Sequence, residues 1–349
     1  MGSSLPPALT DLALEDYEAF AELPHAKRFS PKQIRSWVLE RGACDFEAMT
    51  DLSKPLREQL AQGWRVRRGS LERVHLSRDG TSGMLTRLED GQLIESVSIP
   101  EGDRRTLCLS SQVGCAVACR FCASGLDGVI RNLTSGEIIE QILLARELDP
   151  SSPLTNYVFM GSGEPTHNMR EVRKAIGVMN HPKGLGIGAR RITVSTIGHP
   201  EALAALSEDD IPFNIALSLH APNDAAREAL MPGLGRSQLR ETLKAAHARF
   251  EKTGRRITAE VVVLEGINDT VEVAQEFAEL LGGLNVVVNL IPWNPVQDID
   301  LSSPAPERVE AMANTLRTRG LAATIRRPRG RDVGVACGQL RRHAQRDQS

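Results

Sequence analysis

The chain carries no excess of charge of either sign: 42 Lys and Arg against 44 Asp and Glu leave a formal net charge of -2 over 349 residues. A uniformly basic footprint of the kind many nucleic-acid binders show is therefore missing, although the arrangement of charge matters more than its sum. Long apolar runs are missing as well, and no stretch approaches the about 20 residues that a membrane-crossing helix needs. The opening Met1-Gly-Ser-Ser-Leu-Pro-Pro has neither the basic region nor the apolar core of a secretion signal. Cysteine is scarce: 6 in the whole chain do not make a disulfide scaffold, so a reducing cytoplasm is the expected setting. With 41% hydrophobic and 25% charged residues, the composition is that of a globular protein with one large domain and a smaller one.

Residues 8 to about 62 read as short helices, marked by Leu12, Leu14, Phe20 and Leu23, then by Pro31 with Ile34, Trp37 and Val38, then by Pro55 in an early turn. From Trp64 to Ile99 the period changes to alternation, which predicts a small sheet of its own ending in Leu93-Ile-Glu-Ser-Val-Ser-Ile. Beyond about residue 101, apolar runs beginning at Asn156, Arg191, Asn214, Ile257, Asn285 and Ala322 alternate with helical patterns. Those patterns cover about 134–148, 168–179, 224–230, 237–252, 270–281 and 304–319. Near-continuous apolar strands with intervening helices demand a parallel sheet covered by helices, and their number favours a barrel or partial barrel. The expected organisation is a helical module at 1–62, a β-rich connector at 63–100, an α/β domain at 101–340 and a polar tail at 341–349.

Three of the cysteines, Cys115, Cys119 and Cys122, share one segment read as a loop. Thiolates are the usual ligands of iron–sulfur clusters. Three at this spacing can hold three irons of a [4Fe-4S] cube and leave the fourth iron open to an outside ligand. The alternative is a structural zinc site, which needs a fourth protein ligand from Cys108, His167 or His220. After the loop, Thr134 and Glu137 can form a capping box opening a helix. Cys44, in the helical module, reads as a small buried hydrophobe, and Cys108 and Cys337 taken alone read the same way.

Further polar residues fall where strands end. Gly161-Ser-Gly-Glu-Pro165 permits a tight turn and close approach of backbone to a ligand, with Glu164 suited to an ammonium group. Ser195, the triplet Ser218-Leu219-His220 and the stretch from Asn289 to Asn294 lie at other strand ends. His220 is either a pocket donor or a satisfied structural histidine. In parallel α/β barrels the active site forms at the C-terminal strand ends, so one shared pocket is expected. Arginine gathers at Arg65, Arg67 and Arg68, at Arg190 and Arg191, at Arg326, Arg327, Arg329 and Arg331, and at Arg341 and Arg342. The helical module and the run from Arg326 are the candidates for phosphate contacts.

The four-then-three cysteine spacing, with Phe121 just before the third thiol, resembles the radical S-adenosylmethionine superfamily. That resemblance implies a partial (β/α)6 radical SAM barrel, a [4Fe-4S] cluster on Cys115, Cys119 and Cys122, and S-adenosylmethionine chelated to the open iron. It also implies cofactor contacts from Gly163, Glu164, Ser195, Ser218, Leu219, His220 and Asn294. More closely, the chain resembles the RlmN/Cfr family of RNA methyltransferases. The words that carry this are Leu107-Cys-Leu-Ser-Ser-Gln-Val-Gly-Cys115, Arg131-Asn-Leu, Val158-Phe-Met-Gly-Ser-Gly-Glu-Pro165, Ser218-Leu-His-Ala-Pro-Asn-Asp224, Asn289-Leu-Ile-Pro-Trp-Asn-Pro295 and Ala336-Cys-Gly-Gln-Leu340.

The resemblance implies a route with two S-adenosylmethionine molecules per turnover. One methylates Cys337. The other yields a 5'-deoxyadenosyl radical that activates that methyl group for addition to an adenine ring carbon. Cys108 then attacks the Cys337 sulfur, forming a transient disulfide and freeing the base, and Glu95 matches the family's proton acceptor. A thiolate is a good nucleophile toward a sulfonium where a ring carbon between nitrogens is a poor one, so storage on sulfur divides one prohibitive step into feasible ones. The implied substrates are adenosines of 23S rRNA and of the tRNA anticodon loop, and the implied electron donor is flavodoxin- or ferredoxin-like. A monomer without membrane attachment is expected. Pro292-Trp293-Asn294 matches the adenine-C2 enzymes, the C8 enzymes carrying Arg-Tyr-Asn there. The chain departs from the family at Ser162, at Gly233-Leu-Gly-Arg-Ser237, which is shorter and less basic, and at Arg331 and Gly334, which replace acidic residues. The change at Ser162 is expected to be harmless, and the other departures leave the chemistry intact and bear on the choice of RNA.

Overall fold

The computed structural model describes residues 5–326, 329–330 and 339–346. Prolines open both helices of the N-terminal module, α1 (Ser30–Arg35) with Pro31 and α2 (Lys54–Gly63) with Pro55. A first helical turn has no use for the missing N–H. The module closes around Leu9, Tyr17, Phe20, Ile34, Val38, Met49, Leu56 and Leu60, all buried. Cys44 is not part of that core, contrary to expectation: it is exposed, with its thiol 3.6 Å from Asp45 Oδ2. Ala43 and Phe46 take the inward positions of this stretch, so Cys44 is turned outward between them.

Three antiparallel strands follow, β1 (Ser70–Leu76), β2 (Ser82–Arg87) and β3 (Leu93–Glu101). They do not form a sheet of their own. The nine-residue β3 pairs with β2 on one side and with β4 (Arg104–Cys108) on the other, Val97 lying opposite Cys108. The three strands thereby become the edge of one ten-stranded sheet.

The rest of that sheet is parallel. Beyond β4, and after the short β5 (Gln112–Gly114) and β6 (Val129–Asn132), strands and helices alternate. They run α3 (Ser135–Leu148), β7 (Asn156–Phe159), α4 (Met169–Asn180), β8 (Ile192–Thr196), α5 (Pro200–Ser207), β9 (Asn214–Ser218), α6 (Asp224–Leu230) and α7 (Leu239–Thr253). Then come β10 (Ile257–Val263), α8 (Val271–Leu281), β11 (Val286–Pro292), α9 (Pro306–Thr318) and β12 (Ala322–Ile325). Strands β4, β7, β8, β9, β10, β11 and β12 pair in chain order, each parallel to the next. Among the described residues this makes six strand–helix units closed by β12, a partial barrel of the expected kind. Helix α5 was not apparent from periodicity, because its eight residues carry only Leu203 and Leu206 as large buried anchors.

Thr134 caps α3 as expected, its hydroxyl accepting from Glu137 N at 3.1 Å while Glu137 Oε2 accepts from Thr134 N at 2.9 Å. The N-terminal module docks on the same helix through Glu140. That carboxylate accepts from the Thr10 hydroxyl at 2.5 Å, from Arg68 N at 2.8 Å and from Gly69 N at 2.7 Å. Near the end of the chain, α10 (Gln339–Arg346) lies over the antiparallel strands, Leu340 and Ala344 packing with Leu85, Leu93, Val97 and Cys108.

Candidate active site

A cavity of about 300 Å3 opens at the C-terminal ends of the parallel strands. Cys108, Cys115, Cys119, Cys122, Gly163, Glu164, Ser195, Ser218, His220 and Asn294 all line it. Ten residues spread over almost two hundred positions meet there because each follows or ends a strand of one parallel sheet.

The cysteine loop is tied down at both ends and across its middle. Strands β5 and β6 pair across its base, with Gln112 opposite Asn132 and Cys115 N donating to Gly128 O at 3.0 Å. Arg120 N donates to Leu230 O at 2.9 Å and Gly233 N to Val117 O at 2.8 Å, joining the loop to the chain that follows α6. Trp293 Nε1 donates to Phe121 O at 2.8 Å from the end of β11. Burial pushes the Cys115 thiol up to about 11 and Cys119 well above the usual thiol range. Such sulfurs become thiolates by binding a metal centre, which releases their protons.

Among the described residues, no three His, Cys, Asp or Glu side chains converge to hold one metal ion. A cube bound at three corners does not require its ligands to meet at a point. The donor set, three thiols on a tethered loop facing a cavity, fits an iron–sulfur cluster.

The glycine turn after β7 is shaped by its own neighbours. A Cβ at Gly161 would stand 2.8 Å from the Leu109 carbonyl, and one at Gly163, where φ is +105°, would stand 2.7 Å from the Gln112 side chain. The close approach is therefore of backbone to the β4–β5 segment, with Gln112 Oε1 accepting from Glu164 N at 2.9 Å. Glu164 Oε1 accepts from Thr166 N and Oγ1, and Oε2 from Ile197 N at 3.0 Å, which aims the carboxylate from two strand ends.

His220 is buried and in the left-handed region, φ +59°. Its Nδ1 accepts from Val262 N at 3.1 Å, and burial, with the Arg227 charge, drags its pKa to about 3. The ring is neutral, with its proton on Nε2, and it lines the cavity. Ser195 and Ser218 place their hydroxyl oxygens 3.4 Å apart.

Leu219 is the one expected cofactor residue whose side chain belongs to the core; its N–H donates to Glu260 O at 3.0 Å. Glu95 is buried, and its Oε2 accepts from Leu340 N at 3.1 Å and Arg341 N at 3.4 Å. It thus holds the start of α10 beside Cys108. Cys337 lies outside the described residues.

Of the arginines, Arg65, Arg67 and Arg68 are built into the fold through Glu89, Glu147 and Asp11. Arg326 and Arg329 line the cavity. Arg341 is buried, whereas Arg342 pairs with Asp127 at 2.9 Å and with Asp298 at 3.4 Å.

Two residues went unmarked by the sequence argument. Arg227 is fully buried and its guanidinium donates to Leu219 O, Ile197 O, Ser218 O and Ser237 Oγ. Glu260, a lone acid in the apolar run of β10, lines the cavity; that isolation was its visible signal.

Cluster loop, glycine turn and partial barrel together define a radical S-adenosylmethionine enzyme, and comparison with known proteins agrees. The radical SAM superfamily profile matches residues 109–278, and the profile of the ribosomal RNA large subunit methyltransferase N-terminal domain matches residues 8–66. The probable dual-specificity RNA methyltransferase RlmN of Rhodopirellula baltica is 42% identical over 336 residues, covering 96% of this chain and 91% of that one. The probable RlmN of Symbiobacterium thermophilum is 44% identical over 322 residues, covering 91% of this chain and 87% of that one. A crystal structure of a radical SAM methyltransferase from Sphaerobacter thermophilus superposes with a TM-score of 0.92 at 41% identity, covering 96% of this chain and 99% of that one. The chain belongs to the RlmN family of radical SAM methyltransferases.

Proposed function

We propose that this enzyme transfers a methyl group to C2 of adenosine in 23S rRNA and in the tRNA anticodon loop, using one [4Fe-4S] cluster and two S-adenosylmethionine molecules per turnover. The observation that carries the reading is the single cavity lined by three cysteines of one loop, the Glu164 turn and Cys108. The cluster with its bound S-adenosylmethionine supplies a 5'-deoxyadenosyl radical.

The chain's own residues do the rest. Cys115, Cys119 and Cys122 hold the cluster; Glu164 accepts a hydrogen bond from the methionyl ammonium. Ser195, Ser218, His220 and Asn294 position the nucleoside. His220 does so as a neutral N–H donor. Cys337 carries the methyl group, and Cys108 releases the product by attacking that sulfur. The disulfide formed is reduced by an external thiol before the next turnover.

Support for pairing the two thiols comes from the flanks of 331–338: Arg329 lines the cavity on one side, and Leu340 packs in the same apolar cluster as Cys108 on the other. Glu95 receives the proton lost from the adenine carbon. The electron donor is a flavodoxin- or ferredoxin-like protein, and the enzyme acts as a monomer in the cytoplasm. No helix among the described residues is long and apolar enough to cross a membrane.

Nucleoside mass spectrometry of rRNA and tRNA from cells lacking the gene tests the proposal. Loss of 2-methyladenosine from both RNAs is the expected result. Loss of 8-methyladenosine instead would assign the Cfr-type reaction, and loss from one RNA alone would overturn dual specificity.

A further inference from the structure

The loop that carries the three cysteines has two faces. Cys115, Val117, Cys119 and Phe121 line the cavity, whereas the residues between them, Ala116, Ala118 and Arg120, are exposed and lie outside its lining. The connection from α6 to α7 runs along this outer face. Gly233 N donates to Val117 O at 2.8 Å, and a Cβ at Gly233 would stand 2.7 Å from Val117 Cα, so the two segments meet backbone to backbone. With only methyl groups on Ala116 and Ala118, little more than the main chain separates this stretch of the loop from solvent.

Two kinds of exposed side chain adjoin that thin wall. Leu126, Val129 and Ile130, on the other arm of the loop, are 42%, 42% and 51% exposed. Gly125, next to Leu126, packs so closely that a Cβ there would stand 2.7 Å from Ala118 Cα, and Gly128 O accepts from Cys115 N. Arg120 and Arg236 are exposed, and neither is in an ion pair among the described residues. The acids around them are engaged elsewhere. Asp127 pairs with Arg342 at 2.9 Å, Glu228 accepts from Ser237 N at 2.7 Å, and Asp224 accepts from Leu239 N at 2.9 Å.

An exposed apolar patch flanked by uncommitted cations has the anatomy of a docking surface for an acidic protein. RNA is the less suitable occupant, because a phosphate backbone gains nothing from Leu126, Val129 and Ile130 and the adenine it delivers belongs on the cavity side. An electron has the opposite requirement. It must reach the cluster while cofactor and substrate fill the cavity, and transfer weakens steeply with distance, so the outer face offers the short route.

We propose that this outer face, with Leu126, Val129 and Ile130 as its apolar part and Arg120 and Arg236 as its charged part, docks an acidic flavodoxin-like electron carrier. This rests on the reading that Cys115, Cys119 and Cys122 hold a [4Fe-4S] cluster. The carrier's anionic flavin hydroquinone gives up one electron and becomes the neutral semiquinone, and the oxidised cluster gains that electron; no bond forms or breaks. The apolar edge of the flavin suits the apolar patch, and the carrier's acidic surface suits the two guanidiniums. Encounters of this kind bury little area and depend on charge for their speed.

The test mixes anaerobic, cluster-reconstituted protein with photoreduced flavodoxin and follows the reduced cluster by electron paramagnetic resonance of freeze-quenched samples. Dithionite serves as a small reductant that needs no docking. Arg120→Glu combined with Arg236→Glu should slow reduction by flavodoxin about tenfold at low salt and much less at high salt. Iron content, melting temperature and reduction by dithionite should hold. Ile130→Ser, which removes apolar area and no charge, should slow reduction by flavodoxin at every salt concentration, and it keeps the test valid if the double variant loses its cluster. Reduction of both variants at the wild-type rate would overturn the proposal. Unchanged reduction by flavodoxin with weakened tRNA binding would overturn it too, by assigning the face to RNA. Failure of wild type to assemble a cluster that dithionite reduces would instead refute the cluster reading beneath it.

Discussion

Replacing Arg227 by Met should loosen the site from behind. The guanidinium is fully buried in α6 and spans two strand ends, donating to Ile197 O at 2.6 Å after β8 and to Ser218 O and Leu219 O, both at 3.0 Å, at the end of β9. Burial lowers its pKa to about 10, so it remains charged at neutral pH. Methionine fills similar length but donates nothing, which removes a donor from three carbonyl oxygens, of which Leu219 O keeps the Ala221 N–H at 2.7 Å. Each unsatisfied buried acceptor costs about 1–3 kcal/mol, and relief from burying a charge offsets part of the sum. A net loss of about 3 kcal/mol is expected. Unfolding entropy of about 2.1 cal/mol/K per residue over 349 residues converts this to a fall of about 4 °C in melting temperature. Because the same carbonyls fix the turn that keeps His220 at φ +59°, cofactor affinity should fall as well, by about tenfold. Thermal unfolding followed by circular dichroism reads the first effect and equilibrium dialysis the second. A melting temperature within about 1 °C of wild type, with undiminished affinity, would refute the assignment of Arg227 as the brace of the pocket wall.

Gly163→Ala should abolish measurable cofactor binding while leaving the chain folded. Its Cβ would stand 2.7 Å from the Gln112 side chain at a φ of +105°, displacing the turn that aims Glu164; dialysis against S-adenosylmethionine checks this. Trp293→Phe removes the 2.8 Å hydrogen bond to Phe121 O, worth about 1 kcal/mol. Iron should then be lost to a chelator several-fold faster, as followed by the decay of the cluster's visible absorbance. Glu140 predicts a pH effect. Burial raises its pKa from 4.5 to about 7 against the hydrogen bonds from Thr10, Arg68 N and Gly69 N, so the folded protein holds a proton that the unfolded chain has released. Its contribution to stability is therefore fully present below pH 4.5 and lost as pH rises through 7, by about 3 kcal/mol in all. Glu140→Gln should flatten that decline in denaturant titrations run from about pH 5 to 8; an unchanged slope would show that the carboxylate stays ionised in the fold.

Local pattern and tertiary neighbourhood divide what could be read in advance. The parallel strands from β7 to β12 announced themselves as apolar runs, whereas β4, which begins Arg104-Arg-Thr, did not; a parallel sheet puts its strand ends on one rim, so Ser195, Ser218, Glu164 and Asn294 could be gathered into one pocket from the sequence. The capping box at Thr134 and Glu137 is equally local. Alternation from Trp64 to Ile99 correctly marked strands but could not say which strand would lie beside β3, because a strand with both edges free does not name its partner; pairing with β4 is a property of the whole sheet. Cys44 shows the same division from the other side. A cysteine is usually buried, yet Ala43 and Phe46 were competing for the same inward positions, and the larger ring with its small neighbour took them. Glu260 combines both cases. An acid alone in an apolar strand is conspicuous, but its meaning depends on register: only the alignment with Asn289 and Thr324 turns one oxygen inward to a donor and leaves the other open to the cavity. A register shift of one residue would have turned that oxygen to the opposite face of the sheet. The rows that a parallel sheet builds across its strands are therefore where unassigned chemistry in such barrels should be sought.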